Sequence, residues 1–277
     1  EIGERLTTHP DVAKIGFTGS IASAKTIMSN AAQSIKGVTL ELGGNDPAIL
    51  LDDVDLSDAT VDRMAGAVFR MTGQVCMAIK RFYVPKAIEQ KFVDAFVRAA
   101  DKVVVGDGLE PKVTMGPLHT EKGRIRAHTL VEDAKRRGAD ILRVGKINDR
   151  ETFERGWFME PMVVTGLDDE APLVAEEQFC PAIPIAAYSD LDEAVARANA
   201  SVYGLGASVW SADVEKALAV GRRIESGTVW INTHGTEYIN RSAAYGGVKQ
   251  SGIGRKAGLD GVLEYTQMLT LMAFEPT

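Results

Sequence analysis

One thiol and one carboxylate, each set beside small residues, are the most reactive groups this sequence offers. The carboxylate is Glu41, in Glu41-Leu42-Gly43-Gly44-Asn45, and the thiol is Cys76, in Gly73-Gln74-Val75-Cys76. A thiol attacks carbonyl carbon well, and a nearby carboxylate can activate water to release the acyl group that results. Gly43 and Gly44 permit a sharp bend that would turn the Glu41 carboxylate inward, and Gly73 allows tight backbone approach to the thiol. Taken singly, each group has a plainer explanation. A cysteine is more often a buried small hydrophobe than a nucleophile, and a glutamate at a strand end is usually solvated. The two make chemical sense together.

Other groups add less. Thr18, Gly19 and Ser20 sit where a strand meets a helix, a setting that suits pyrophosphate binding through backbone N–H groups. No G-x-G-x-x-G is present, and a capped core helix is the alternative. His9, His119, His128 and His234 show no metal-ligand spacing and no recognisable Cys–His signature, so no metal site is expected. Cys76 and Cys180 do not make a disulfide framework, which fits a reducing, cytoplasmic setting.

Positioning these groups falls to alternating strands and helices. Lys14 to Phe17 reads as a strand, Ser20 as the N-cap of a helix carrying Ile21, Ala24, Ile27, Met28 and Ala31 at helical spacing, and Gly37 to Leu42 as a second strand. Asp55 or Ser57 caps a helix running to Phe69. Further strands are predicted at Phe82–Val84, Ile141–Val144, Met162–Thr165, Ile183–Ala187, Ser208–Trp210 and Thr228–Asn232. Helices are predicted at Ala87–Asp101, Glu121–Arg137, Leu191–Ala200 and Asp213–Glu225. Such alternation implies a largely parallel sheet with covered faces. The apolar stretch Leu263 to Phe274 reads as a terminal strand that pairs with a sheet edge, its own or another chain's. At 277 residues the chain has room for one large or two ordinary domains. A net charge of -7 argues against a nucleic-acid surface, and no apolar run is long enough to cross a bilayer.

Several stretches resemble the signatures of the NAD(P)-dependent aldehyde dehydrogenase superfamily. VTLELGGNDPAIL at 38–50 and FRMTGQVCMAIKR at 69–81 look like its two active-site motifs. KIGFTGS at 14–20, EEQFCP at 176–181, and SGTVWINTH with YGGVKQSGIGR at 226–255 agree, in order along the chain. The resemblance implies an α/β, aldehyde dehydrogenase-like fold. Residues 1–43 would be the C-terminal part of a doubly wound NAD(P)-binding domain. Residues 44–262 would be the catalytic domain with a mostly parallel sheet, and 263–277 an oligomerisation strand. On the same resemblance the chain, which begins with Glu1 and reaches KIGFTGS within its first 20 residues, would correspond to the C-terminal portion of a longer enzyme.

By the same resemblance, Cys76 attacks an aldehyde, the thiohemiacetal gives hydride to NAD (NADP stays open), and the thioester is hydrolysed with Glu41 as general base. That base favours release of a free carboxylate over transfer to coenzyme A, and water needs it more than a cysteine already partly ionised. Thr18, Gly19, Ser20, Leu42, Glu177 and Phe179 would hold the coenzyme. Met71, Thr72 and Tyr245 are candidates for lining the substrate tunnel, and His234 is structural or substrate-lining. The chain departs from the family at Ile21-Ala22-Ser23-Ala24, where Ala24 replaces a glycine and adds a Cβ on the coenzyme's path. It departs again at Cys180, usually a glycine, which is either packing or a partner for oxidation with Cys76. The partners implied are a small aldehyde and further copies of the chain, as a homodimer or homotetramer, with neither nucleic acid nor membrane. A coenzyme-independent thiol hydrolase and an inactive piece acting only in oligomerisation are the competing readings.

Overall fold

A computed structural model describes residues 2–275. Helix α1 (Ile2–Thr8) packs on the first strand–helix–strand unit, made of β1 (Lys14–Thr18), α2 (Ile21–Ala32) and β2 (Gly37–Glu41). Ser20 caps α2 as expected, its side chain accepting from the Ser23 N–H, so the helix begins where the strand stops. β1 and β2 pair in parallel with Thr18 opposite Glu41. Ala24, Leu40 and Leu42 form the small core beneath them, with Phe17, Ile21 and Val38 against it. Ala24 is therefore turned into the sheet, 1% exposed, and its methyl does not obstruct the helix N-terminus.

The rest of the chain builds a larger sheet. In order come β3 (Asp46–Leu50), α3 (Asp58–Phe69), β4 (Ile79–Pro85), α4 (Glu89–Ala100), β5 (Val104–Val105), α5 (Glu121–Arg136) and β6 (Asp140–Arg143). Then follow β7 (Lys146–Ile147), α6 (Arg150–Arg155), β8 (Met162–Thr165), α7 (Pro172–Ala175), β9 (Ala182–Tyr188), α8 (Leu191–Asn199), β10 (Gly206–Trp210), α9 (Val214–Gly221), β11 (Thr228–Ile231), β12 (Gly252–Ile253) and α10 (Gly258–Leu263). Seven strands lie in the order β11-β10-β3-β4-β9-β8-β6, parallel throughout except for β6 against β8. β3, β4 and β10 are buried along their whole length, as a sheet covered on both faces requires.

On one face, Phe82 of β4 meets Phe92 and Phe96, one turn apart on α4, at ring separations of 5.1 and 5.2 Å, and Phe69 closes the cluster 6.0 Å from Phe96. α3 is set against this core by Asp55, whose carboxylate accepts from the Ser57 N–H and from the hydroxyls of Ser57 and Thr60.

Two connections tie the small sheet to the large one. Leu42–Asn45 leads from the carboxyl end of β2 to the amino end of β3. Far along the chain, β12 returns to pair antiparallel with β2, Gly252 opposite Glu41 and Ile253 opposite Leu40. Glu264 fastens this return, pairing with Lys14 at 2.6 Å and accepting from the Thr39 hydroxyl at 3.0 Å.

The segment predicted as a terminal strand behaves differently. Leu263 closes α10, and residues 266–275 form no ladder among the described residues, although Met268, Leu271, Met272 and Phe274 stay largely exposed. The last two residues assigned to that arm, 276 and 277, lie outside the described residues.

Candidate active site

The candidate residues sit at strand ends of the two sheets: Thr18 and Glu41 at the carboxyl ends of β1 and β2, and Asp46, Lys80 and the segment before Ala182 at the amino ends of β3, β4 and β9. Open α/β sheets usually bind at the carboxyl ends of strands. Here only the small sheet obeys that rule.

Cys76 follows an irregular turn between α3 and β4. Met71, Thr72 and Gly73 all have positive φ, at 50, 63 and 70°. Gly73 is required twice over: its φ is left-handed, and a Cβ would fall 2.5 Å from the Cys180 carbonyl oxygen. The turn is pinned by Thr72, whose hydroxyl donates to the Gly116 carbonyl at 3.1 Å, and by Gln74, whose side-chain oxygen accepts from the His119 N–H at 2.9 Å. Cys76 itself is half-buried.

Burial pushes the Cys76 thiol up, Asp46 and Glu177 push it further, and Lys80 with the Met77 N–H pulls back. The thiol is therefore held protonated rather than partly ionised, and it needs a base or a cation to activate it. Cys180 is buried among Leu118, Met159, Leu173 and Ala182, with its thiol raised to about 11 by that burial. These are the surroundings of a packing cysteine.

Glu177 reaches in from the turn before β9, where its carboxylate accepts from the Gly44 N–H at 3.1 Å. Burial raises its pKa, partly offset by Lys80. Gly44 lies so close to Cys76 that a Cβ there would come within 2.5 Å of the Cys76 carbonyl oxygen. Neither Gly43 nor Gly44 is left-handed, so what these glycines supply is room rather than the expected sharp bend. Phe179 is held at φ 51° with its ring 41% exposed and the Lys80 ammonium 5.8 Å from its centroid.

Glu41 ends β2 and is buried, with Oε1 lacking any hydrogen-bond partner. Burial raises its carboxyl from the ordinary 4.5 to about 7, against the pull of Lys256 and Arg255. Tyr245 is the side chain that feels both reactive groups. Its hydroxyl is driven far up by burial and by the charges of Asp46, Cys76 and Glu41.

The coenzyme residues inferred from the motifs divide between two places. Thr18, Gly19, Ser20 and Leu42 cluster on the small sheet: Gly19 donates to the Glu41 carbonyl at 3.1 Å, Lys256 donates to the Thr18 hydroxyl at 2.5 Å, and Leu42 is buried. Glu177 and Phe179 belong to the large-sheet side, where the Glu177 charge reaches the Cys76 thiol and the Phe179 ring lies by Lys80. Met71 and Thr72 line a groove with His119, Trp157 and Phe179. A separate cavity of about 300 Å³ opens beside Val75 and Met77, bounded by His234, Gly235 and Tyr238.

Lys80 and Asp46 escaped the sequence reading. Lys80 is 1% exposed, Asp46 accepts from the Gly206 N–H at 3.1 Å, and His234, tilted against Trp230, lies 3.4 Å from Asp46. The only local signal was a Lys-Arg pair interrupting an otherwise apolar strand. Among the described residues no cluster of His, Cys, Asp and Glu is arranged to hold a metal, and no helix is long and apolar enough to cross a membrane.

Comparison with known proteins brings this geometry into a wider group. A family model described as "Aldehyde dehydrogenase family" matches residues 1–271. A betaine aldehyde dehydrogenase of Brucella anthropi is 36% identical over 271 residues, covering 98% of this chain and 55% of that protein. Among solved structures, betaine aldehyde dehydrogenase from Staphylococcus aureus in complex with NAD+ superimposes with a TM-score of 0.89 at 38% identity, covering 96% of this chain and 52% of that one. An NADP-dependent enzyme of E. coli gives 0.88 at 36% identity, covering 95% and 53%. The chain thus spans about half the length of the relatives it matches.

Proposed function

The chain belongs to the aldehyde dehydrogenase family, and from that premise we propose that its residues carry the oxidation of an aldehyde to a carboxylic acid with NAD+, or NADP+, as acceptor. The observations that support this reading best are a half-buried thiol, Cys76, and a buried carboxylate with one unpartnered oxygen, Glu41, poised near neutrality, both acting on the Tyr245 hydroxyl. Cys76 adds to the aldehyde carbon, giving a thiohemiacetal. Loss of hydride, with the hydroxyl proton passing to water, leaves a thioester on the same sulfur. Glu41 then takes a proton from the water that hydrolyses it, a task suited to a carboxyl titrating near 7.

When bound, the coenzyme accepts the hydride. The residues present fit such a group. The amino end of α2, capped by Ser20 and flanked by exposed Thr18 and Gly19, offers N–H donors to a pyrophosphate. Glu177 offers a carboxylate for ribose hydroxyls, and Phe179 holds a partly exposed aromatic face. The proposed division at residues 43/44 and 262/263 separates a coenzyme unit, a thiol unit and an arm along the sequence, although β12 crosses back from the second to the sheet of the first. A thiol nucleophile must stay reduced, which suits the cytoplasm.

The exposed apolar side chains beyond Leu263 support assembly into a homodimer or homotetramer, with the arm added to a sheet edge of another copy. Reduced-coenzyme absorbance on mixing aldehyde and NAD+ with the natural polypeptide containing these residues tests the reading. Ester hydrolysis without any coenzyme requirement would favour a simple thiol hydrolase instead.

A further inference from the structure

Lys80 is a fully buried cation beside the reactive thiol, and no step of the proposed chemistry uses it. It projects from β4, a strand buried along its whole length, and its ammonium donates to the carbonyl oxygen of Val75 and, at 3.4 Å, to that of Cys76. These acceptors are peptide carbonyls, not carboxylates. An ammonium withdrawn from water is costly, and an apolar side chain of similar length would fill the same space without that cost. The position of the charge therefore calls for a use.

The two carbonyls identify one. The Val75 carbonyl and the Cys76 N–H belong to a single planar peptide group, and the Cys76 carbonyl shares the next with the Met77 N–H. Across a trans peptide the N–H points opposite to the C=O. An ammonium gripping both carbonyls from one side therefore directs both N–H bonds to the other, forming a small concave site for negative charge. The observations agree on both sides of the loop. Val75 O is held a second time by the Ala78 N–H at 3.2 Å. The Met77 N–H faces the Cys76 sulfur, lowering its pKa against the effect of burial. The Cys76 N–H donates to no group among the described residues, so it remains free for a ligand.

We propose that Lys80 is a positioning residue that fixes the peptide groups on either side of Cys76, so that the Cys76 N–H binds the oxyanion formed on attack and the Met77 N–H supports the thiolate. The inference rests on the reading of Cys76 as the nucleophile. The charged and titratable groups around Lys80 are Glu177, Asp46, Cys76 and Cys180; those around Cys76 are Asp46, Lys80 and Glu177. Lys80 is the one cation in either set, which makes it the group that offsets two carboxylates at the sulfur.

The test compares Lys80→Met, which removes both charge and donors, with Lys80→Gln, which removes the charge but keeps an N–H donor for the carbonyls. Iodoacetamide alkylation is followed at the Cys76 peptide by mass spectrometry from about pH 6 to 10, spanning the ordinary cysteine range. Loss of the cation should raise the alkylation midpoint in both variants by about one pH unit, a tenfold loss of thiolate below the midpoint. In the natural polypeptide, Lys80→Met should lower kcat by about 10²–10³, the usual effect of losing an oxyanion donor. Lys80→Gln should retain more of it, with KM for coenzyme little changed in either.

A wild-type kcat in Lys80→Met, or equal losses in both variants, would overturn the positioning role. If the wild type oxidises no aldehyde, the functional reading fails while alkylation still decides the role of Lys80: unchanged midpoints in both variants would end the proposal. Should Lys80→Met not fold, Lys80→Gln alone decides by the same midpoint.

Discussion

Replacing Glu41 by glutamine should make the protein slower and more stable, with both effects depending on pH in opposite ways. The carboxylate is buried, one of its oxygens has no hydrogen-bond partner, and burial lifts its pKa from 4.5 to about 7 despite Lys256 and Arg255. At 1.36 kcal/mol per pH unit, that displacement disfavours the ionised form by about 3 kcal/mol. The folded chain binds this proton more tightly than the unfolded chain does. Stability therefore rises as pH falls from 7 towards 4.5, and the whole penalty is present above 7.

A neutral amide in place of the carboxylate escapes the penalty. The variant should melt higher at pH 8, by up to about 6–10 °C for a domain of this size, and the advantage should shrink towards zero near pH 5. Catalysis runs the other way. Wild-type turnover should fall about tenfold per pH unit below 7 as the base protonates. The variant should lose about 10²–10⁴ at pH 8, together with that pH dependence. Rapid mixing should show a burst of reduced coenzyme followed by slow release of acid. Identical melting shifts at pH 8 and 5 would refute the electrostatic reasoning. Equal loss in the burst and in the steady state would refute the assignment of Glu41 to hydrolysis alone.

Cys76→Ser should bind coenzyme as the parent does yet retain less than ~5% of aldehyde oxidation, because an unactivated hydroxyl is a weak nucleophile; titration calorimetry beside steady-state kinetics checks both halves. Gly73→Ala should cost about 1–3 kcal/mol, since it forces a left-handed alanine and drives a methyl into the Cys180 carbonyl; urea unfolding measures it, and an unchanged midpoint contradicts the steric account. Phe96→Ala, removing a fully buried ring that meets Phe69, Phe82 and Phe92, should cost about 3–5 kcal/mol, leaving thiol reactivity at Cys76 unaltered in whatever fraction stays folded.

Periodicity located most strands and helices of the large sheet, because their side chains face a core and repeat accordingly. Met162–Thr165 is the same in both accounts, and Ser20 caps its helix as its type suggests. β3 was hidden by Asp46-Pro47 at its start. Proline there reads as a break, yet the pairing with β4 shifts register at that step and accommodates it. α10 was hidden because Gly258 and Gly261 lower its propensity, and the run after it looked like a strand although no ladder forms among the described residues. At the site, Cys76, Glu41, Glu177, Phe179 and His234 were marked by motif. Lys80 and Asp46 were not, because what distinguishes them is burial beside the thiol, a property of the closed fold that local sequence does not display.

The return of β12 to β2 has a consequence in time. Gly252 pairs with Glu41, and Glu264 reaches Lys14 across 250 positions of sequence. Contacts of that separation form late, because closing so long a loop costs entropy before any pairing repays it. During synthesis, β1, α2 and β2 leave the ribosome long before the segment that completes their sheet and that brings Arg255 and Lys256 to Glu41. Until then β2 has one unpaired edge and Glu41 no cationic neighbour from that segment. The nascent chain thus carries its cysteine well before the surroundings of its base exist, and Glu41 gains them only when the final turns dock.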